Sequence, residues 1–314
     1  MHGTMIQNMT DTSLRDHITL DGSLLTGASF RVLTVQAHAD DETITMGGTM
    51  ALCHDAGIAT TVVCCTDGSK ATIFDPTMDE ESTRPKLAAI RQDELISACT
   101  ILGVSSIHWL NYGDSNMAGH EDNNRKGAFW SVRTDDAVEK LVRIIRSVRP
   151  HIVVCNNSYG AYGHPDHIQS HRITVLAVEA SRHPLMYPDS GHAWSVGHLL
   201  YTTMARSAIT RMARAATELG IDVPFWRDDA ALLLMADDDE VTDIIDIHPV
   251  IKRKHAALLA HRSQIQPDWP MAALLDGPLA EYAAHEAFTS VTTYPSAAPT
   301  PSLADLLQHH GVPV

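Results

Sequence analysis

Four short β-type runs separated by helix-forming stretches leave this chain few ways to fold. They are RVLTVQA at 31–37, ATTVVCC at 59–65, IHWLNY at 107–112 and HIVVC at 151–155. The segment after the first run has helical character as far as His54, and Ala56-Gly57 breaks it. The second run ends at the turn signal Thr66-Asp67-Gly68, and helical periodicity resumes from about Arg84 to Gly103. Thr134 reads as the N-cap of a helix to Arg149, with Pro150 as its stop. Strands alternating with helices in this way predict an α/β fold, a Rossmann-like and mostly parallel sheet flanked by helices.

Past residue 182 the alternation is less regular, with a strand over 199–204, a helix ending at Gly220, a short run at 244–247 and a helix ending near Arg262. The expected organisation is a peripheral N-terminal segment 1–29, a catalytic core 30–182, a C-terminal α/β elaboration 183–293 packing on the core, and a peripheral tail 294–314. The loop 113–133 is long for a compact domain, which predicts that it borders a site.

Composition narrows the function. With 44% hydrophobic and 19% charged residues the chain can bury a sizeable core, and no stretch reaches the roughly 18 uncharged apolar residues of a membrane helix. A formal charge of −15 argues against nucleic acid and anionic membranes as partners and leaves a small molecule, with a homo-oligomer still open. Residues 1–22 have neither a basic start nor an apolar segment of signal-peptide length, so the expected location is cytoplasmic. Cys53, Cys64, Cys65, Cys99 and Cys155 contain no CxxC pair and fall in apolar elements, where they read as buried reduced thiols.

Two polar clusters fall at strand ends, where open parallel sheets bind ligands: His38-Ala39-Asp40-Asp41-Glu42, and Tyr162-Gly163-His164-Pro165-Asp166-His167. His38 and Asp41, three apart at a helix start, can point to one side and share a metal. His167 supplies a third donor, giving the open nitrogen and oxygen set of a catalytic zinc. Asp40 remains free as a general base that passes its proton to the departing amine. His164, as imidazolium, and the Tyr162 hydroxyl are candidates to stabilise an oxyanion, with Asp166 holding His164 in its tautomer. The bland alternative, three acidic residues capping a helix, explains one cluster but not two at the ends of one sheet. A rival pair, His167 and His171, lacks the glutamate of zinc peptidases, because residue 168 is Ile.

AHADDE at 37–42 together with YGHPDH at 162–167 resembles the signatures of the LmbE-like (PIG-L) zinc de-N-acetylase family. The likeness continues through RQDE at 91–94, RPHIVVC at 149–155 and KHAALLAHRSQ at 254–264. The resemblance implies one Zn2+ per chain on His38, Asp41 and His167; because two histidines and an aspartate do not select zinc by softness alone, other divalent ions such as Fe2+ are expected to replace it. It also implies Asp40 as base, and His164 at the oxyanion or leaving group. DSNMAG at 114–119 is similar to a segment of the mycothiol-pathway deacetylases, which act on N-acetylglucosaminyl inositol. By that likeness Arg91, Asp114 and Met117 bind substrate, an acetylated amino sugar. Ala39, where HPDD has proline, and the loop Thr66-Asp67-Gly68-Ser69 depart from that subgroup. A mycothiol-conjugate amidase, a deacetylase of aminoglycosides or glycopeptides, and a non-catalytic sugar-binding protein stand as alternatives. A nucleotide-dependent oxidoreductase lacks its glycine-rich turn, and an esterase its GxSxG elbow.

Overall fold

The apolar runs become strands of an eight-stranded sheet in the computed structural model, which describes residues 13–221, 235–266, 269–293 and 300–312. The strands are β1 (His17–Thr19), β2 (Arg31–Gln36), β3 (Ala59–Thr66), β4 (Ser106–Tyr112), β5 (Ile152–Asn156), β6 (His198–Thr203), β7 (Asp243–Asp246) and β8 (His285–Thr293). Their order is β1-β4-β3-β2-β5-β6-β8-β7. β4, β3, β2, β5 and β6 run parallel; β1 at one edge and the β8-β7 pair at the other add antiparallel pairings. Every residue of β3 is buried, as expected of a parallel strand covered on both faces.

The longer helices are α1 (Asp41–Asp55), α2 (Leu87–Leu102), α3 (Thr134–Val148), α4 (Pro165–Ser181), α5 (Arg206–Glu218), α6 (Ile251–Ala260) and α7 (Leu303–His309). α1, α2, α6 and α7 bury Met50, Leu95, Ala257 and Leu306 against one face of the sheet. α3 and α4 bury Leu141, Ile145 and Ile173 against Leu33, Val63 and Val153 on the other. Each fully buried Leu or Ile contributes about 1.5–3 kcal/mol of transfer free energy. α2 ends at Gly103 in the left-handed region (φ 78°), the usual glycine stop. All five cysteines are buried and free.

Several expectations need correction. Thr134 is the first helical residue rather than the cap; Arg133 holds the cap position without a side-chain bond. The segment 183–293, expected as a C-terminal α/β elaboration packing on the core, joins it through the sheet itself, which β6, β8 and β7 extend. Residues 303–309 are no peripheral tail: Leu303, Leu306 and Leu307 sit in the core, and Ser302 caps their helix by accepting the Asp305 N–H. Likewise His17–Thr19 pairs with β4 as an edge strand. Residues 1–12, 294–299 and 313–314, parts of the two expected peripheral segments, lie outside the described residues.

This topology locates the site. The chain leaves β2 toward β3 on one side and returns through β5 on the other, so the loops following β2 and β5 part and leave a crevice at the carboxyl ends of the strands.

Candidate active site

Both polar clusters reach that crevice. The loop after β2 turns sharply into α1 at Asp40, whose φ of 115° is a conformation that costs an L residue about 1–3 kcal/mol. The loop after β5 passes through Gly160 (φ 68°), where an added Cβ would lie 2.7 Å from the Ile168 nitrogen. That close approach packs the loop onto the start of α4 and brings His167 over the sheet.

His38 Nδ1 lies 3.2 Å from His167 Nε2 and 3.5 Å from Asp41 Oδ2, and His167 Nε2 lies 3.3 Å from Asp41 Oδ2. All three residues are buried. Donors held at about 2.0–2.1 Å around a tetrahedral zinc are about 3.3 Å apart, so this triangle fits such an ion. The pair His38 and His167 also lies within 4.8 Å of a ring nitrogen of His164. His164, however, spends Nδ1 on accepting the Asp166 main-chain N–H, which leaves its proton on Nε2 and makes it a donor rather than a ligand.

The remaining ring nitrogens are held from behind. Asp166 Oδ2 lies 3.3 Å from His38 Nε2 and accepts the Ser115 N–H, while Asp166 Oδ1 is buried without a partner among the described residues. The Asn156 side-chain amide lies 3.3 Å from His167 Nδ1 and is itself bonded to the Thr202 hydroxyl. Such contacts orient imidazole ligands. Burial opposes charge on His38, but Asp166 and Asp41 raise its pKa well above the ordinary value. Burial likewise works against ionised Asp41, and His167 with His38 keeps it below the usual carboxylate range.

Asp40 has a different environment. Burial pushes its carboxyl up to about 6, with Arg91 pulling the other way and Asp41 adding to the rise. Arg91 donates to Asp40 Oδ2 at 3.1 Å, to the Gly68 carbonyl at 3.2 Å and to the Ala39 carbonyl. Gly68 has to be glycine for this, since a Cβ there would lie 2.3 Å from the guanidinium.

The structure departs from the sequence expectations at three positions. Asp166 faces His38 rather than His164, because its carboxylate is turned toward the Ser115 N–H. His164 is not poised as an imidazolium: burial, with His38 nearby, lowers its pKa to about 4. Arg91, read as a sugar contact, is buried and occupied with Asp40 and two carbonyls. Asp114 does reach the cluster, with a carboxylate oxygen within 4.8 Å of His38, His164 and Asp166 donors; it accepts the Lys70 and Asn116 N–H groups. Met117 is half exposed, and Tyr162, also half exposed, sets its ring 5.0 Å from His167. The loop 113–133 borders the site through Ser115 and Asp114. Asn156 escaped the sequence reading, although a polar residue closing an apolar strand at the ligand edge was a usable signal.

Residues 33–178 match the family described as PIG-L: GlcNAc-PI de-N-acetylase. The 1D-myo-inositol 2-acetamido-2-deoxy-alpha-D-glucopyranoside deacetylase of Geodermatophilus obscurus is 38% identical, over 78% of this chain and 86% of its own. The protein of the same name in Streptomyces scabiei is 37% identical, over 81% and 82%. The chain belongs to the PIG-L family. Its enzyme class is therefore the one expected, an amidohydrolase that removes an acetyl group. Among solved structures, the N,N'-diacetylchitobiose deacetylase of Pyrococcus horikoshii aligns with a TM-score of 0.59 at 22% identity, covering 87% of each chain. GalB, the 4-carboxy-2-hydroxymuconate hydratase of Pseudomonas putida, aligns with a TM-score of 0.56 at 19% identity, covering 86% and 99%. One is a deacetylase and the other a hydratase, so the shared fold alone does not choose the reaction. No helix among the described residues is long and apolar enough to cross a membrane.

Proposed function

We propose that this PIG-L family chain is a zinc-dependent deacetylase of an N-acetylglucosaminyl inositol, with Asp40 as general base. The observation that carries the reading is the buried triangle of His38, Asp41 and His167 at 3.2–3.5 Å, with Asp40 beside it in a strained backbone. The substrate rests on the relatives' names.

His38 Nδ1, Asp41 Oδ2 and His167 Nε2 would hold the zinc, which supplies Lewis acidity toward the amide carbonyl and the attacking water. Asp40, with a pKa of about 6, accepts the proton of that water near neutral pH and returns it to the departing sugar amine. His164 acts as a neutral imidazole: its Nε2–H donates to the oxygen of the tetrahedral intermediate, as a fixed donor needing no change of charge. Asp166 and Asn156 hold the imidazoles of His38 and His167 in the orientation in which they would meet that ion. Tyr162 closes the rim, and Asp114 with Met117 meets the sugar, while Arg91 acts on Asp40 instead.

The test is metal content together with amine release from N-acetylglucosaminyl inositol, mycothiol conjugates and simple N-acetylglucosaminides. Wild type should release amine from the inositol glycoside. Asp40→Asn should retain its metal and turn over at least about 100-fold more slowly. An Asp40→Asn enzyme working at the wild-type rate would remove Asp40 from the mechanism, and release only from mycothiol conjugates would change the substrate.

A further inference from the structure

Behind the ligand cluster, Glu42 and His261 form an ion pair whose side chains are both fully buried. Neither has a part in the reaction above. Glu42 Oε1 lies 2.9 Å from His261 Nε2 and accepts the Thr43 hydroxyl, and Glu42 Oε2 accepts the main-chain N–H of Asp40 at 2.9 Å. The main chain of His261 is held at the end of α6: its N–H donates to the Leu258 carbonyl, and its carbonyl accepts the Gln264 and Ile265 N–H groups, while its ring Nδ1 is buried without a partner among the described residues.

Two considerations separate this pair from ordinary core support. A buried ion pair rarely stabilises a fold more than well-packed apolar residues in its place, so stability alone is a weak reason for it. Its second oxygen, moreover, lands on the N–H of Asp40, the residue in the strained conformation. Such strain persists only where surrounding contacts over-determine it. Here Glu42 holds the main chain of Asp40 and Arg91 holds its carboxylate.

We propose that Glu42, seated by His261, is a positioning residue for deacetylation: it fixes the strained backbone of Asp40 and so the direction of the Asp40 carboxylate. The inference rests on Asp40 as the base.

The decisive variant is Glu42→Met/His261→Leu, which removes both partners and fills their space with apolar groups, an exchange a fold tolerates well. It should be folded, carry as much metal as wild type and show an unchanged KM, with kcat lower by at least about tenfold, because a small misdirection of a catalytic group costs rate without costing binding. Glu42→Gln, whose amide oxygen still accepts the Asp40 N–H, should stay within about threefold of wild type. A double variant whose kcat also stays within about threefold overturns the proposal. So does one that loses its fold or its metal, since the pair would then be structural support. Asp40→Asn in the same assay keeps the two readings apart: wild-type rate there sinks the base assignment itself.

Discussion

Among the described residues, two groups of imidazole and carboxylate gather at one edge of this sheet, and only one of them is buried. His38, Asp41 and His167 are buried, and the far ring nitrogens of the two histidines are engaged by Asp166 and Asn156. Asp246, His248 and His285, at the ends of β7 and β8, also bring three donors within 4.8 Å, but both histidines are exposed. There Asp246 Oδ1 accepts the His248 N–H and lies 2.7 Å from His248 Nδ1, much as Asp41 Oδ2 accepts the His38 N–H, so exposure rather than local bonding sets the two groups apart. Water can replace any donor in the exposed group at little cost. In the buried group a carboxylate and two imidazoles face one another away from solvent, where the attraction of the same residue types for a cation is stronger. Identity and proximity of donors are thus insufficient; burial and support from behind make the difference.

That contrast can be broken at three points. The largest effect should come from His167→Ala, which opens the triangle: metal retained after dialysis and deacetylation should both fall by at least about 100-fold. Full metal retention there would place the ion elsewhere. Asn156→Leu tests the support alone, and should weaken metal affinity about 10- to 100-fold in competition with a chelator. Unchanged affinity would mean that packing, not the amide, orients His167. The smallest effect belongs to His285→Ala, expected to leave metal stoichiometry and rate within about twofold of wild type, as surface changes usually do. Loss of a second bound equivalent in that variant would erase the distinction.

Legibility in the sequence follows the same physics. The five parallel strands were readable because runs such as ATTVVCC are short, uncharged and rich in β-branched residues, and the helix stops at Gly103 and Pro150 are local chemistry. β8 was not anticipated, because Glu286 points inward as a buried charge and spoils the alternation around Phe288. α7 carried a signal in Leu303, Leu306 and Leu307 at helical spacing, but seven residues amid proline and alanine are a short pattern. The donor triangle follows from residues adjacent to strand ends. The partners of Asp166, Arg91 and His261 do not, since each depends on where another segment's backbone arrives: Ser115 for Asp166, Gly68 for Arg91 and Glu42 for His261.

One feature of α1 bears on how the molecule is made. The helix departs from helical geometry at Met46, and the N–H groups of Gly48 and Thr49 just beyond are taken up by the Glu286 carboxylate, which Lys254 also meets at 2.6 Å. Those bonds join residues 238 and 237 positions apart. His38 and Asp41, the proposed ligands, therefore leave the ribosome well before β8, on which the helix that carries Asp41 depends for its last bonds. Contacts of such long range are slow to close, so competence of the site should await the emergence of β8.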